Sequence, residues 1–266
     1  MKKGHYSSEA IILNSFDYGE SDRILAFYTK EFGKLRGIAK GARRSKRRFV
    51  GNICPPSYVN LLFYRGNGEL AMVEEASLIY GFPELKGDVL RYADSCYILE
   101  LANEMTRDGG HQNPELFEVL LCFLKLVNFS GGSKSLLRFY EIKLLTTLGY
   151  MPHLSGCVVC RGNFSGGRVF FNSEKGGAVC GVCAGYPRGT HAKHGSAWVG
   201  LGGLIPFSAA TASLLGMAGR MPAEKLSRLV TDEAFTKESE AVLSDFIRHQ
   251  TGRELKTKKI IERLGM

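Results

Sequence analysis

Three features of the sequence predict an α+β, multidomain chain: five short strand patterns within the first eighty or so residues, helical spacing of apolar residues beyond Pro83, and two CxxC motifs at mid-chain. The architecture they predict is an N-terminal OB-type β-barrel over residues 1–82, then a mainly α-helical domain over 83–266 with a four-cysteine zinc-ribbon insertion at about 153–190. At 266 residues, 44% hydrophobic and 23% charged, the chain is long enough for two domains and too apolar for disorder to be the default.

The strand patterns are Ala10 to Leu13, Ile24 to Thr29, Leu35 to Ala39, Tyr58 to Tyr64 and Glu69 to Glu75. Each is rich in β-branched, aromatic and aliphatic residues, and turn signals separate them at Gly19, Gly33, Gly41, Pro55-Pro56 and Gly66-Asn67-Gly68. Five short strands with a longer excursion between the third and fourth fit an OB barrel, whose open face and loops hold single-stranded nucleic acid. An SH3-like barrel has a similar strand count, and the pattern alone leaves it open.

Beyond Pro83 the apolar positions from Leu85 to Leu101 follow helical spacing, and Asp108-Gly109-Gly110 ends the run. Asn113 is a good N-cap for a second helix, Pro114 suits its first position, and Glu115 and Glu118 complement the positive end of its dipole. A third helix is predicted from about Ser133 to Leu148, stopping at Gly149. Further helical patterns lie at Ala209 to Met217, Lys237 to His249 and Lys256 to Leu264. There is no repeat of solenoid length and no low-complexity tract.

The formal net charge is +9, and one segment accounts for most of it. Between residues 34 and 48 the chain carries Lys34, Arg36, Lys40, Arg43, Arg44, Lys46, Arg47 and Arg48 with no acid, a block of +8 that leaves +1 for the rest. Charge focused in this way points to a polyanion, with nucleic acid ahead of a membrane surface because no amphipathic or lipidation signal accompanies it. Lys34, Arg36 and Lys40 fall on or just past the third strand, and Arg43 to Arg48 on the loop beyond, expected to act as a flexible claw on phosphates. Phe27, Tyr28, Phe32 and Phe49 bracket the block. For each of them barrel-core packing is the better reading, with Phe49, set among arginines, the first candidate for stacking on a base.

Cys157, Cys160, Cys180 and Cys183 form CxxC, nineteen residues, then CxxC, which is zinc-site spacing in an intracellular chain. A closed four-thiolate shell leaves no position for water or substrate, so the expected Zn²⁺, one per chain, is structural. Each pair has a glycine two positions past its second cysteine, Gly162 and Gly185, where a tight turn needs positive φ and frees N–H groups for the sulfurs. His191 and His194 lie close behind and read better as exposed polar residues than as competing ligands. Cys54, Cys96 and Cys122 are isolated, and the last two sit in helical apolar patterns that suit core packing.

The apolar run Ala10 to Leu13 is too short for a signal peptide, and the richest later stretch, Leu116 to Phe129, is broken by Glu118, Lys125 and Asn128. A soluble, cytoplasmic protein without a membrane partner is therefore expected, nucleoid-associated if its polyanion is DNA. No phosphate loop, dinucleotide fingerprint, HExxH or nucleophile elbow is present, so a non-enzymatic role is expected as well.

The stretch Asp22 to Leu35 (DRILAFYTKEFGKL), then Lys40-Gly41-Ala42-Arg43-Arg44-Ser45-Lys46, the four cysteines and the ending Gly252-Arg253-Glu254-Leu255-Lys256 resemble the bacterial RecO family, over nearly the whole length. That resemblance implies an OB-fold domain, a helical domain with a zinc ribbon, and ATP-independent binding of single- and double-stranded DNA. It also implies annealing of strands coated by single-strand-binding protein, and action with RecR to help RecA displace that coat. The resemblance implies that the helical domain holds the acidic tail of single-strand-binding protein, and Arg248, Arg253, Lys256, Lys258 and Lys259 either contribute to that site or simply solvate a C-terminal helix. An RNA-binding or transcription-associated OB and zinc-ribbon protein is the alternative that the charges alone permit.

Overall fold

A computed structural model describes residues 2–49, 51–109, 112–131, 133–164, 168–185 and 203–264. They form two compact units, Met1–Gly132 with Leu255–Met266, and Ser133–Glu254.

The first unit is built on five strands, β1 (Gly4–Tyr18), β2 (Asp22–Thr29), β3 (Gly33–Ala39), β4 (Tyr58–Arg65) and β5 (Ala71–Tyr80), closed in the order β1-β2-β3-β5-β4. All neighbours are antiparallel except β3 and β5, which pair in parallel through Gly37–Ala71, Ile38–Met72 and Ala39–Val73. This closure is why residue 37 is glycine: a Cβ there would lie 2.8 Å from Val73 Cγ2 and 2.9 Å from the Ala71 carbonyl oxygen. Ala10, Ile12, Leu25, Phe27, Leu35, Val59, Leu61, Phe63 and Val73 fill the interior.

β1 is far longer than the expected Ala10 to Leu13, because one strand serves two partners. Residues 4–11 pair with β4 and residues 10–18 with β2, with a register shift between Ile12 and Asn14. Its first half, with Ser7 to Glu9, lacks the apolar signal by which strands are recognised, so only pairing reveals it, while its last residues alternate polar and aromatic side chains. β5 likewise starts later than expected and runs on to Tyr80.

A 3₁₀ turn at Pro83–Gly87 leads into α1 (Val89–Met105), capped by the Asp88 carboxylate, which accepts from the N–H groups of Leu90 and Arg91. In α2 (Pro114–Ser130) the expected cap is present: Asn113 Oδ1 accepts from Leu116 N at 3.0 Å, with Pro114 at the first position. α1 packs against β1 and α2.

The second unit opens with α3 (Lys134–Thr147), capped by Ser133 and buried along nearly its whole length. A small antiparallel sheet follows, β6 (Val169–Asn172) between β7 (Gly177–Cys180) and β8 (Leu204–Phe207). Then come α4 (Ala209–Arg220), the single turn α5 (Ala223–Leu226) and α6 (Glu233–Thr251), which ends at Gly252 in the left-handed region. α3 packs against α4 and α6. The last helix, α7 (Lys256–Arg263), returns to the first unit, where the Glu100 carboxylate on α1 accepts from Lys256 N at 3.0 Å and Thr257 N at 2.8 Å. Among the described residues no helix is long and apolar enough to cross a membrane.

Candidate nucleic-acid interface and metal centre

Strand alternation decides where the cations of β3 point. Leu35, Gly37 and Ala39 face the barrel interior, so Lys34, Arg36 and Lys40 take the outer face. Arg36 and Lys40 are exposed, and so are Arg43, Arg44, Lys46, Arg47 and Arg48 on the loop that follows.

Lys34 does not join them. It is 8% exposed, and its Nζ donates to the carbonyls of Asn103 at 2.7 Å and Thr106 at 3.1 Å and lies 3.2 Å from Asp108 Oδ1. These groups close the C-terminal end of α1, where the helix dipole is negative and carbonyls lack partners. Lys34 is thus a helix-capping cation, a correction to its reading as a phosphate contact.

The exposed cations have carboxylate neighbours, at lengths that matter. Arg36 Nε is 3.8 Å from Asp108, Arg43 Nε 3.5 Å from Asp17, and Arg44 Nη2 3.6 Å from Glu20. Long pairs between solvated side chains are worth about 0–1 kcal/mol, so a phosphate can displace them. Lys46 and Arg47 have no ion pair among the described residues.

The loop is not the free claw expected. Gly41 N donates to the Asp22 carboxylate at 2.8 Å, which with Ser21 holds that carboxyl below its ordinary range, and Arg43 N donates to the Ser21 carbonyl at 2.9 Å. At its far end Ala76 N donates to the Arg48 carbonyl at 2.9 Å, and the Arg48 guanidinium reaches back to the Lys40 carbonyl at 2.9 Å. Phe49 is the reason for this anchoring: its ring is 1% exposed among the barrel core residues, and the Arg48 guanidinium covers it 5.1 Å from the centroid. A ring so enclosed has no face for a base, which corrects its place as first stacking candidate. Phe27 and Tyr28 are buried too, and Phe32 packs against the core, as the packing alternative held.

Sequence reasoning passed over Phe16 and Tyr18. Both lie in the second half of β1 and are exposed, at 45% and 55%. The signal was an alternation of aromatic and polar residues, Ser15-Phe16-Asp17-Tyr18, directly before the turn at Gly19.

In the second unit the Sγ atoms of Cys157, Cys160, Cys180 and Cys183 all lie within 4.8 Å of one another, with Cys160 and Cys180 3.9 Å apart. Four thiolates on one tetrahedral ion at about 2.3 Å would stand about 3.8 Å apart, so the cluster fits a single metal ion. The β6–β7 hairpin carries Cys180 at its end, and the chain before it is stitched to β7: His153 N donates to the Gly176 carbonyl, Ala178 N to that of His153, and Val158 N to that of Ala178. Gly177 permits this approach, since a Cβ there would be 2.4 Å from the His153 carbonyl oxygen.

The two turns differ in detail from the glycine expectation. Gly185 has φ 83°, but in the first turn the left-handed residue is Arg161, at φ 62°. Gly162 instead offers its carbonyl to Cys157 N at 2.9 Å, and a Cβ on it would be 3.5 Å from Cys160 Sγ. Burial pushes the Cys157 thiol up, but N–H groups of Cys160, Cys180 and Val159 outweigh this and bring it down to about 6. Cys183 is pushed up to about 12, first by its hydrogen bond to Cys180 and then by burial. Cys183 thus holds its proton while Cys157 gives its own up, and a bound cation would draw off the proton of Cys183 as well. His191 and His194 lie outside the described residues.

The five cations considered for an acidic tail divide between the units. Arg248 pairs with Asp245 at 2.5 Å in the second unit, which also holds Arg253, while Lys256, Lys258 and Lys259 are on α7 in the first.

The sequence matches two family models, Recombination protein O N terminal over residues 1–82 and Recombination protein O C terminal over residues 86–259. It is 34% identical to "DNA repair protein RecO" of Syntrophus aciditrophicus (strain SB), covering 98% of each chain. It is also similar to proteins with the same name from Anaeromyxobacter dehalogenans (strain 2CP-C), 34% identical over 96% of this chain and 95% of the relative, and from Desulforamulus reducens, 32% identical over 97% and 94%.

Proposed function

The chain belongs to the RecO family, the non-enzymatic recombination mediators of DNA repair, and from that premise we propose that it binds single- and double-stranded DNA and anneals complementary strands coated by single-strand-binding protein. With RecR it assists RecA loading, inside the cell, and its helical domain receives the acidic tail of single-strand-binding protein. Residues 1–82 form the DNA-binding domain and residues 83–266 the helical domain.

What carries this reading is the group of exposed cations, Arg36, Lys40, Arg43, Arg44, Lys46, Arg47 and Arg48, on one strand of a closed barrel and the loop anchored to it. Annealing requires that the repulsion between two polyanions be screened while base edges stay free to pair. Arginines and lysines that bind phosphates without reading bases do both. Anchoring the loop lowers the ordering cost of gripping a backbone. The metal is Zn²⁺, one per chain, held by Cys157, Cys160, Cys180 and Cys183 in a structural role.

The test is annealing of complementary strands precoated with single-strand-binding protein, by the wild type and by a variant with Arg43, Arg44, Lys46 and Arg47 changed to alanine. Arg48 is left in place because it holds the loop. The variant is expected to lose strand binding and annealing together, with the salt slope of log K reduced by about 0.7 for each phosphate that is no longer neutralised, or about 2.8 for four. A folded variant that anneals like the wild type would overturn the proposal.

A further inference from the structure

The barrel register assembles a surface on its outer face that the charge pattern does not reveal. Phe16 on β1 pairs with Ile24 on β2, Ile24 with Ile38 on β3, and Ile38 with Met72 on β5. Cross-strand partners share a face, so these four side chains form one apolar row on the outside of the barrel. Ile24 is buried as its floor, Ile38 is half-buried, and Phe16 is exposed at one end. Tyr18, two positions beyond Phe16, stands on the same face next to it. Arg36 and Lys40 stand two positions either side of Ile38 and border the row.

Two exposed aromatic rings on alternate positions of one strand, beside a row of cations, are unlike the rest of this barrel. Phe27, Tyr28, Phe49 and Phe63 are all enclosed. Asp22, the acid opposite Tyr18, has its carboxylate tied to Gly41 N at 2.8 Å and Ser21 Oγ at 2.9 Å, and Asp17 points to the other face with its partner Arg23.

We propose that Phe16 and Tyr18 form a stacking platform for bases of single-stranded DNA, with Arg36 and Lys40 holding the phosphates on either side. This deepens the DNA-binding reading and rests on it. The occupant follows from charge and shape together: bordering cations call for a polyanion, and exposed rings call for a polyanion with flat apolar faces, which an unpaired strand has and a duplex backbone lacks. The platform supplies affinity that does not depend on salt, whereas the loop cations supply the part that does.

The experiment compares full-length wild type with Phe16→Ala, Tyr18→Ala and the double variant, on a single-stranded DNA and an abasic strand of equal length, at three salt concentrations. Each single variant is expected to bind the normal strand about 5-fold more weakly and the double variant about 30-fold, with the salt slope unchanged. The wild type's preference for the normal over the abasic strand should vanish in the double variant, and Phe16→Tyr with Tyr18→Phe should restore it. Wild-type affinity in the double variant, or an equal loss on the abasic strand, overturns the inference while leaving DNA binding in place. So does a larger loss on RNA of the same sequence. A wild-type dimer in sedimentation that the double variant abolishes, without change in DNA affinity, would make the patch an interface between copies instead. A wild type that binds no single-stranded DNA removes the inference and the functional reading together.

Discussion

Replacing Lys34 with methionine separates the two roles a cation in the basic segment can have. Methionine keeps most of the aliphatic stem and removes the ammonium, which donates to the carbonyls of Asn103 and Thr106 and lies 3.2 Å from Asp108. A hydrogen bond to a charged group contributes about 1.5–3 kcal/mol, so two give about 3–6 kcal/mol in gross terms. Part of this is offset because methionine carries no cost for desolvating a charge at a site 8% exposed, which leaves a net loss of about 2–3 kcal/mol. At about 2–4 °C per kcal/mol for a protein of this size, the transition of the first unit should fall by about 4–12 °C in a calorimetric melt. Hydrogen exchange should locate the change at the last turn of α1. The salt slope for strand binding should stay at the wild-type value, because the ammonium is already engaged. A slope reduced by about 0.7 with an unchanged melt would mean that Lys34 reaches phosphate and that its assignment to the helix end is wrong.

Other expectations follow from the same geometry. Phe49→Ala should cost about 3–5 kcal/mol, as truncation of an enclosed ring does, and should speed proteolysis between residues 40 and 57; a stability equal to wild type would show that the ring does not anchor the loop. Metal analysis of reduced protein should find close to one zinc per chain, and chelation should destabilise the second unit while leaving the barrel's β-sheet circular dichroism intact; a zinc content near zero refutes the assignment. Gly177→Ala must push back a segment whose carbonyl oxygen would be 2.4 Å from the new Cβ, so metal release to a colorimetric chelator should quicken at least several-fold. Release at the wild-type rate would remove the argument that this approach shapes the site.

The parts legible in the sequence are those whose signal is local. Asn113 and Pro114 announce α2 because capping involves groups within one turn, and the cap bond to Leu116 N is there. The two CxxC pairs announce a four-thiolate cluster because the short spacing within each pair already places two sulfurs together, and the cluster is compact. The glycines beyond them were less legible, since Arg161 and not Gly162 takes the positive φ in the first turn. The start of β1 was hidden, because its polar stretch Ser7 to Glu9 is strand only by virtue of the partner it meets.

By itself the sequence determined a basic segment on a small all-β unit, a helical remainder and a sulfur site, since periodicity, composition and spacing are properties of the chain alone. Which cations stay free, and which rings stay exposed, only the tertiary structure decided. Lys34 and Arg36 are two residues apart on the same face of one strand, yet the end of α1 closes over the first and leaves the second in water. Phe49 and Phe16 are both phenylalanines of the barrel unit, yet one is drawn into the core and the other held outside it. The physical reason is that burial depends on what arrives from elsewhere in the chain, and a residue's own neighbours in sequence carry no record of it.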